Sequence, residues 1–294
     1  DLDIKADNIF INANEMAFHM ASVCGDANNK AITGVTNTAK FDADSIILKG
    51  ASGIRATVAS DSRNKIEFNG VGRTEIYAII PSTVNETNFF GEIIGGKAVE
   101  IDYTDLTFNN DAVLAGENLT AQGTAAGHLV NPGTQFEYWK DGYWLKAVSA
   151  GSESVLTANK DASILSNGGY YNTALHVWGK SQAEFNGKTS ITVQNGVDTA
   201  RAVYVYDDYD GTTRAEFNDD LTISTAGSNA TYLYGIDVRA GGKVDVTKGL
   251  IMNDNNNITW SLFAMGNDSK IDINSSASGE VQVVGSVGGY DGGA

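Results

Sequence analysis

Apolar residues recur in pairs two positions apart along most of this chain, and the pairs themselves recur. One series reads Leu156/Ala158, Ala183/Phe185, Ala215/Phe217, Val244/Val246 and Ile271/Ile273, with second members 27, 32, 29 and 27 residues apart. A second reads Ala162/Ile164, Thr189/Ile191, Leu221/Ile223 and Leu250/Met252, and a third Leu175/Val177, Val203/Val205, Ile236/Val238 and Leu262/Ala264. A spacing of two puts both members of a pair on one face of a strand. Each unit of about 29 residues therefore predicts three short strands, each with one buried side.

Three such strands cannot close a core by themselves, so each unit needs neighbours above and below. The pattern predicts an all-β chain folded as a parallel β-helix, with rungs about 4.8 Å apart. Propeller blades of about 40–50 residues and four strands do not fit these units, and a sandwich would not hold one register through five successive repeats. Ala183-Glu184-Phe185-Asn186 returns as Ala215-Glu216-Phe217-Asn218. That repetition predicts Phe185 stacked on Phe217 and an amide ladder from Asn186 to Asn218. Glu67-Phe68-Asn69-Gly70 is an earlier copy, 117 residues upstream and hence close to four units away in the same register.

The same alternation opens the chain in Leu2, Ile4, Ile9 and Ile11, and Met16 to Cys24 reads as a further strand, with one helical turn over Met16 to Met20 as the alternative. It resumes at Phe41, Ala43, Ile46, Leu48, Ile54, Ala56 and Val58, then Ile66, Phe68 and Thr74 to Ile80, where Pro81 ends a strand because it cannot donate to a ladder. Val99, Ile101, Tyr103, Leu106 and Phe108 continue it. Residues 1–294 thus read as one β-helical body with irregular insertions near 82–96 and 116–150. The first holds Asn88-Phe89-Phe90-Gly91, read as a protruding loop or hairpin. The second holds Phe136, Tyr138, Trp139, Tyr143 and Trp144 around Lys140-Asp141-Gly142, which predicts a hairpin.

Composition agrees: 33 glycines and only 2 prolines among many Asn, Asp, Ser and Thr describe short strands and tight turns. The formal charge of −16, dispersed along the chain, makes nucleic acid and anionic lipid poor partners. Cys24 is the single cysteine, so there is no internal disulfide framework and no thiolate zinc cluster. No run approaches the ~18 apolar residues of a membrane helix. The chain opens in mid-pattern at Asp1-Leu2-Asp3-Ile4, as expected of an excised fragment or a mature product.

The strand starts of the form Glu/Asp-Phe/Val-Asn/Thr, the run Gly241 to Thr247 and the Asn-rich turns carry a family resemblance across Lys40 to Asn110 and Ser154 to Gly285. They resemble the passenger domains of monomeric autotransporters of Gram-negative bacteria, surface adhesins in particular. The resemblance implies a right-handed β-helix displayed on the bacterial cell surface and anchored by a C-terminal β-barrel that lies outside this sequence. It implies a non-enzymatic attachment protein, itself not membrane-inserted. Its partners would be a host-cell or bacterial surface protein or glycan, or a second copy of itself, with no resident cofactor.

Candidate chemistry is sparse. There is no His-Glu-x-x-His, Gly-x-Ser-x-Gly or dinucleotide fingerprint, and the nearest approach to a P-loop, Gly91 to Lys97, has Ala98 in place of the magnesium-binding hydroxyl. His19, His128 and His176 lie far apart. The acidic run Asp207-Asp208-Tyr209-Asp210-Gly211 is the best source of paired carboxylates or of a calcium site, as in a lyase or glycosidase, unless it is a solvated turn. Gly288 to Gly293 partly resembles a calcium-binding nonapeptide or forms a terminal tail.

If the third series points inward, its neighbours point out: His176 and Trp178, Tyr204 and Tyr206, Asp237 and Arg239, Phe263 and Met265. They predict an external strip, aromatic on three rungs and charged on one, that either contacts a partner or is covered by the 116–150 segment. Tyr138, Trp139, Tyr143 and Trp144 either join that surface or form the core of their own insertion. The leading expectation is an adhesin working through the side of the solenoid. The alternatives are a polysaccharide-degrading enzyme centred on Asp207, Asp208 and Asp210, and a phage tail-spike segment.

Overall fold

The computed structural model describes residues 1–21, 34–80, 96–118, 129–130, 137–138, 144–207, 210–225, 228, 230–253, 258–274 and 279–290. Among these residues there is no helix, and the chain winds through three parallel sheets of nine strands, adding one strand to each sheet per turn. Sheet A runs from Leu2–Lys5 to Lys270–Ile273, sheet B from Asn8–Asn12 to Val281–Gln282, and sheet C from Met16–Ala21 to Val287–Tyr290. This is a right-handed parallel β-helix, the hand that parallel crossovers take when right-twisted strands follow one another.

The apolar pairs set the register. Leu156/Ala158, Ala183/Phe185, Ala215/Phe217, Val244/Val246 and Ile271/Ile273 lie directly above one another in sheet A. The second and third series do the same in sheets B and C. Phe68 and Phe185 share a column too, but three rungs apart instead of four, through Phe108 and Ala158. Residue counting misjudged the number because residues 81–95 and 119–143 lengthen two of the intervening turns.

Those two insertions leave from the same corner, between sheets B and C, on consecutive rungs: one follows Arg73–Ile80, the other Asp111–Asn118. The second is shorter than the sequence suggested. Its first residues complete the sheet B strand, and its last belong to the sheet C strand Trp144–Gly151, where Trp144 pairs with Tyr171 and not with a hairpin partner. Between them Leu129–Val130 pairs antiparallel with Glu137–Tyr138. Phe136, Trp139, the Lys140-Asp141-Gly142 turn, Tyr143, Asn88 to Gly91 and Cys24 lie outside the described residues. Tyr103, expected to extend a strand, instead turns the chain with φ 49°.

Inside, like residues touch. Phe41, Phe68 and Phe108 stack with ring centroids 4.8 and 5.2 Å apart, and Phe185 stacks on Phe217 at 5.1 Å with 9° between planes. Just beyond this column, Asn69, Asn109, Asn159, Asn186 and Asn218 form an amide ladder, each Nδ2 donating to the Oδ1 below at 2.6, 2.7, 3.2 and 2.8 Å. At the corner between sheets C and A, buried hydroxyls continue the scheme. The Thr104 amide donates to Ser154 Oγ at 3.2 Å, the Ser154 amide to Ser181 Oγ at 3.0 Å, and the Lys180 amide to Thr213 Oγ1 at 2.8 Å. Corner amides that no strand can pair are satisfied in this way.

Because Phe185 is 1% exposed and sealed between neighbouring rungs, Phe185→Ala should lower unfolding free energy by about 3–5 kcal/mol, the cost of an aromatic truncation that the stack cannot close around. Urea denaturation checks this. A loss under about 1 kcal/mol, ordinary for a surface change, would contradict the sealed column.

Candidate functional site

The outer face of sheet C holds the aromatic residues, and a break in alternation decides which of them meet. In the strand Thr199–Tyr206, Ala200, Ala202, Val203 and Val205 are all buried, so two successive residues point inward. Arg201 and Tyr204, three apart, therefore both face outward. The same phase shift occurs at Ala174-Leu175 and Gly235-Ile236. Three outward rows result instead of the two expected: Thr173, Arg201, Tyr234 and Trp260; His176, Tyr204, Asp237 and Phe263; Trp178, Tyr206, Arg239 and Met265. The alternation rule missed the first row, although the sequence Ala-x-Ala-Val-x-Val from Ala200 to Val205 carries the shift.

The strip is in register as expected but not uniformly open. Tyr206 is 38% exposed, Trp178, Tyr204, Phe263 and Met265 are half-buried, and His176 is only 6% exposed. His176 is therefore not the open contact residue anticipated. Its ring stacks on Tyr204 at 5.0 Å and faces Trp178 at 6.3 Å. Its Nδ1 is buried without a hydrogen-bond partner. Burial, reinforced by the charges of Lys146, Arg201 and Lys97, holds its pKa well below the ordinary histidine value, so the ring stays neutral.

Trp178 lies flat across Gly151: a Cβ there would come within 2.2 Å of the indole. Trp260 covers Gly288 in the same manner: a Cβ there would come within 2.3 Å of its ring. In both places glycine is needed for the close approach of a ring to the backbone, not for an unusual turn. The rings thus lie along the sheet instead of standing out from it. Tyr138 and Trp144 fall on strands, while Trp139 and Tyr143 are outside the described residues.

Asp237 is fully buried between two guanidiniums. Arg201 Nε donates to Oδ2 at 2.7 Å and Arg239 Nε to Oδ1 at 2.9 Å. Arg201 lies over the rings of Tyr204 and Tyr234, at 4.6 and 5.4 Å from their centroids, and Arg239 over Phe263 at 5.6 Å. Burial alone would lower the Arg239 pKa, but the hydrogen bond and charge of Asp237 outweigh it and raise the value. Burial also raises the Tyr204 phenol, so it remains a neutral donor.

Further along the face, Glu100 is paired with Lys97 Nζ at 2.6 Å and Arg55 Nε at 3.3 Å. Burial opposes its ionisation, yet these cations lower its pKa. Asp102, two residues on, is raised by burial despite a hydrogen bond from Ser152.

Within the acidic run the carboxyl groups of Asp207 and Asp210 come within hydrogen-bonding reach of each other. Asp207 is fully buried and spent on structure, accepting from the Gly211 amide at 2.5 Å and from Thr213 Oγ1 at 2.7 Å, which ties the loop to the hydroxyl ladder. Asp210 accepts from Thr212 Oγ1 at 2.6 Å and lies 3.4 Å from Lys180 Nζ; the Thr212 hydrogen bonds lower its pKa to about 2. Such a carboxylate is a poor general acid near neutrality. Asp208 lies outside the described residues, and among those described no three His, Cys, Asp or Glu side chains converge as a metal site.

Comparisons with models of protein families, with curated proteins and with solved structures find no match to this chain.

The neutral, desolvated His176 sets a pH dependence. An unfolded chain takes up a proton at His176 near pH 6.5, and the folded chain does so only at lower pH, so folding stability should fall as pH drops below about 6.5. His176→Phe keeps the stack on Tyr204 and should make that decline shallower. Urea midpoints measured from pH 8 downward test this; identical slopes in the two proteins would contradict it.

Proposed function

We propose that this chain is the β-helical, surface-displayed part of a bacterial attachment protein, which holds a glycan or protein of a host cell, a neighbouring bacterium or a second copy of itself against sheet C. The observation that carries this reading is the set of partly open rings in two adjacent rows, Trp178 with Tyr206 and Tyr204 with Phe263, held in register on one outer sheet face. Rings already fixed by stacking lose little freedom when a partner covers them, so their area goes to contact at low entropic cost. Successive rungs repeat that contact along the solenoid axis, which favours extended or repetitive ligands through multivalency. Anchoring through a separate C-terminal β-barrel belongs to the same proposal.

The protein displayed on non-adherent cells should confer attachment to epithelial cells or mutual clumping. Substituting both Trp178→Ala and Tyr206→Ala should reduce that attachment by about tenfold or more, as removal of interface aromatics does, with circular dichroism and a cooperative melt showing that the β-helix is retained. If display brings neither attachment nor clumping, or if the double variant attaches as well as its parent, this reading fails. A stable trimer of the purified chain would replace it with the tail-spike alternative.

A further inference from the structure

The aromatic part of sheet C runs against the charge of the molecule. On its strands from Trp144–Gly151 to Trp260–Met265 the charged residues are Lys146, Arg201 and Arg239 against Asp237 alone. The strands of sheet A on the same rungs carry four carboxylates against two cations, and those of sheet B two carboxylates and no cation. The whole chain has a formal charge of −16. A cationic patch kept on such a chain, and set among rings, calls for a ligand that is both anionic and able to stack.

Arg201 and Arg239 have donors to offer it. Each spends its Nε on one oxygen of Asp237, and one carboxylate cannot neutralise two guanidiniums. Their Nη groups make no hydrogen bond to any described residue. The Arg201 side chain keeps 12% of its surface exposed and that of Arg239 23%, so part of each reaches solvent. Asp237 and the stacking of both guanidiniums on Tyr204 and Tyr234 fix the forks in place before any ligand arrives. A planar fork held in this way suits the two oxygens of a carboxylate. After burial, the charges of Lys146 and Arg201 add to the lowering of the His176 pKa.

We infer that Arg201 and Arg239 form a subsite for the carboxylate of an acidic sugar, whose ring lies against the neighbouring aromatic side chains of sheet C. This inference rests on the attachment reading and narrows its ligand to carboxylated glycans. Uronate chains and terminal sialic acids share the chemistry. A chain of uronates would engage the rings on several rungs, whereas a terminal acid would use the subsite alone.

The test titrates the purified protein by calorimetry with hyaluronan oligosaccharides, with the same oligosaccharides after carboxyl reduction, with sialyllactose, with lactose and with poly-glutamate. Hyaluronan or sialyllactose should bind at least tenfold more tightly than its neutral counterpart, and binding should weaken as salt is raised. Arg239→Gln should lose about tenfold or more of that affinity, the scale of a charge-assisted hydrogen bond, while Arg239→Lys recovers part of it. Asp237 stays paired with Arg201 in both variants, and an unchanged melting temperature verifies the fold. Equal binding of acidic and reduced oligosaccharides overturns the subsite, as does an affinity indifferent to Arg239→Gln. Poly-glutamate binding as tightly as the best sugar overturns the sugar assignment. If no glycan binds while displayed protein still attaches cells, the subsite falls and the attachment reading stands; if display also fails, both fall.

Discussion

Everything in this protein depends on parallel strands stacking in register, one rung on the next. A parallel rung satisfies its backbone only through the rungs on either side. Each side chain is then delivered directly above its counterpart, about one strand spacing of 4.8 Å away. Columns that tolerate such closeness are few in kind. Flat rings stack, as from Phe41 to Phe108, amides donate to amides, as from Asn69 to Asn218, and hydroxyls accept from corner amides, as at Ser154 and Ser181. Charges of one sign repel when so stacked and are offset by cations alongside: the carboxylates Glu184, Glu216, Asp245 and Asp272 share a column beside that of Arg214, Lys243 and Lys270. Asp237 is likewise offset by lying between Arg201 and Arg239, one from the rung before and one from its own strand.

The same constraint turns a set of separate residues into a surface. Arg201, Tyr204, Asp237 and Phe263 come from three successive turns of chain, yet stacking makes them neighbours as fixed as residues of one strand. Rigidity is inherited from the core: Val203, Val205, Ile236 and Val238 are sealed beneath them. Variation is confined to corners, and both long insertions leave from one of them, where additions do not disturb the pairing of adjacent rungs.

Much of the fold could be read from periodicity alone, since a residue spacing of two and a repeat of about 29 leave few ways to bury the apolar pairs. The phenylalanine stack and the asparagine ladder followed from Ala-Glu-Phe-Asn written twice. Less of the site was legible. Arg201 and Tyr234 were passed over because strict alternation places them with the core, whereas successive buried residues at Ala202-Val203 and Gly235-Ile236 reverse the phase. Asp207 does lie against Asp210, as a source of paired carboxylates would, but its full burial and its bonds from the Thr213 hydroxyl and the Gly211 amide could not be read from the acidic run.

The sequence by itself therefore determined the architecture and the register, because both are properties of a repeating pattern in which every unit reports the same preference. Only the tertiary structure decided which outward side chains are open. His176 and Tyr206 occupy comparable places in the pattern, yet one is sealed and neutral and the other is 38% exposed. It also decided that Trp178 lies down across Gly151 and that Asp237 sits between two guanidiniums. The physical reason is range. Alternation is a local property of one strand, whereas exposure, protonation and charge pairing are set by neighbours a full turn of chain away, whose distance in sequence varies with every corner.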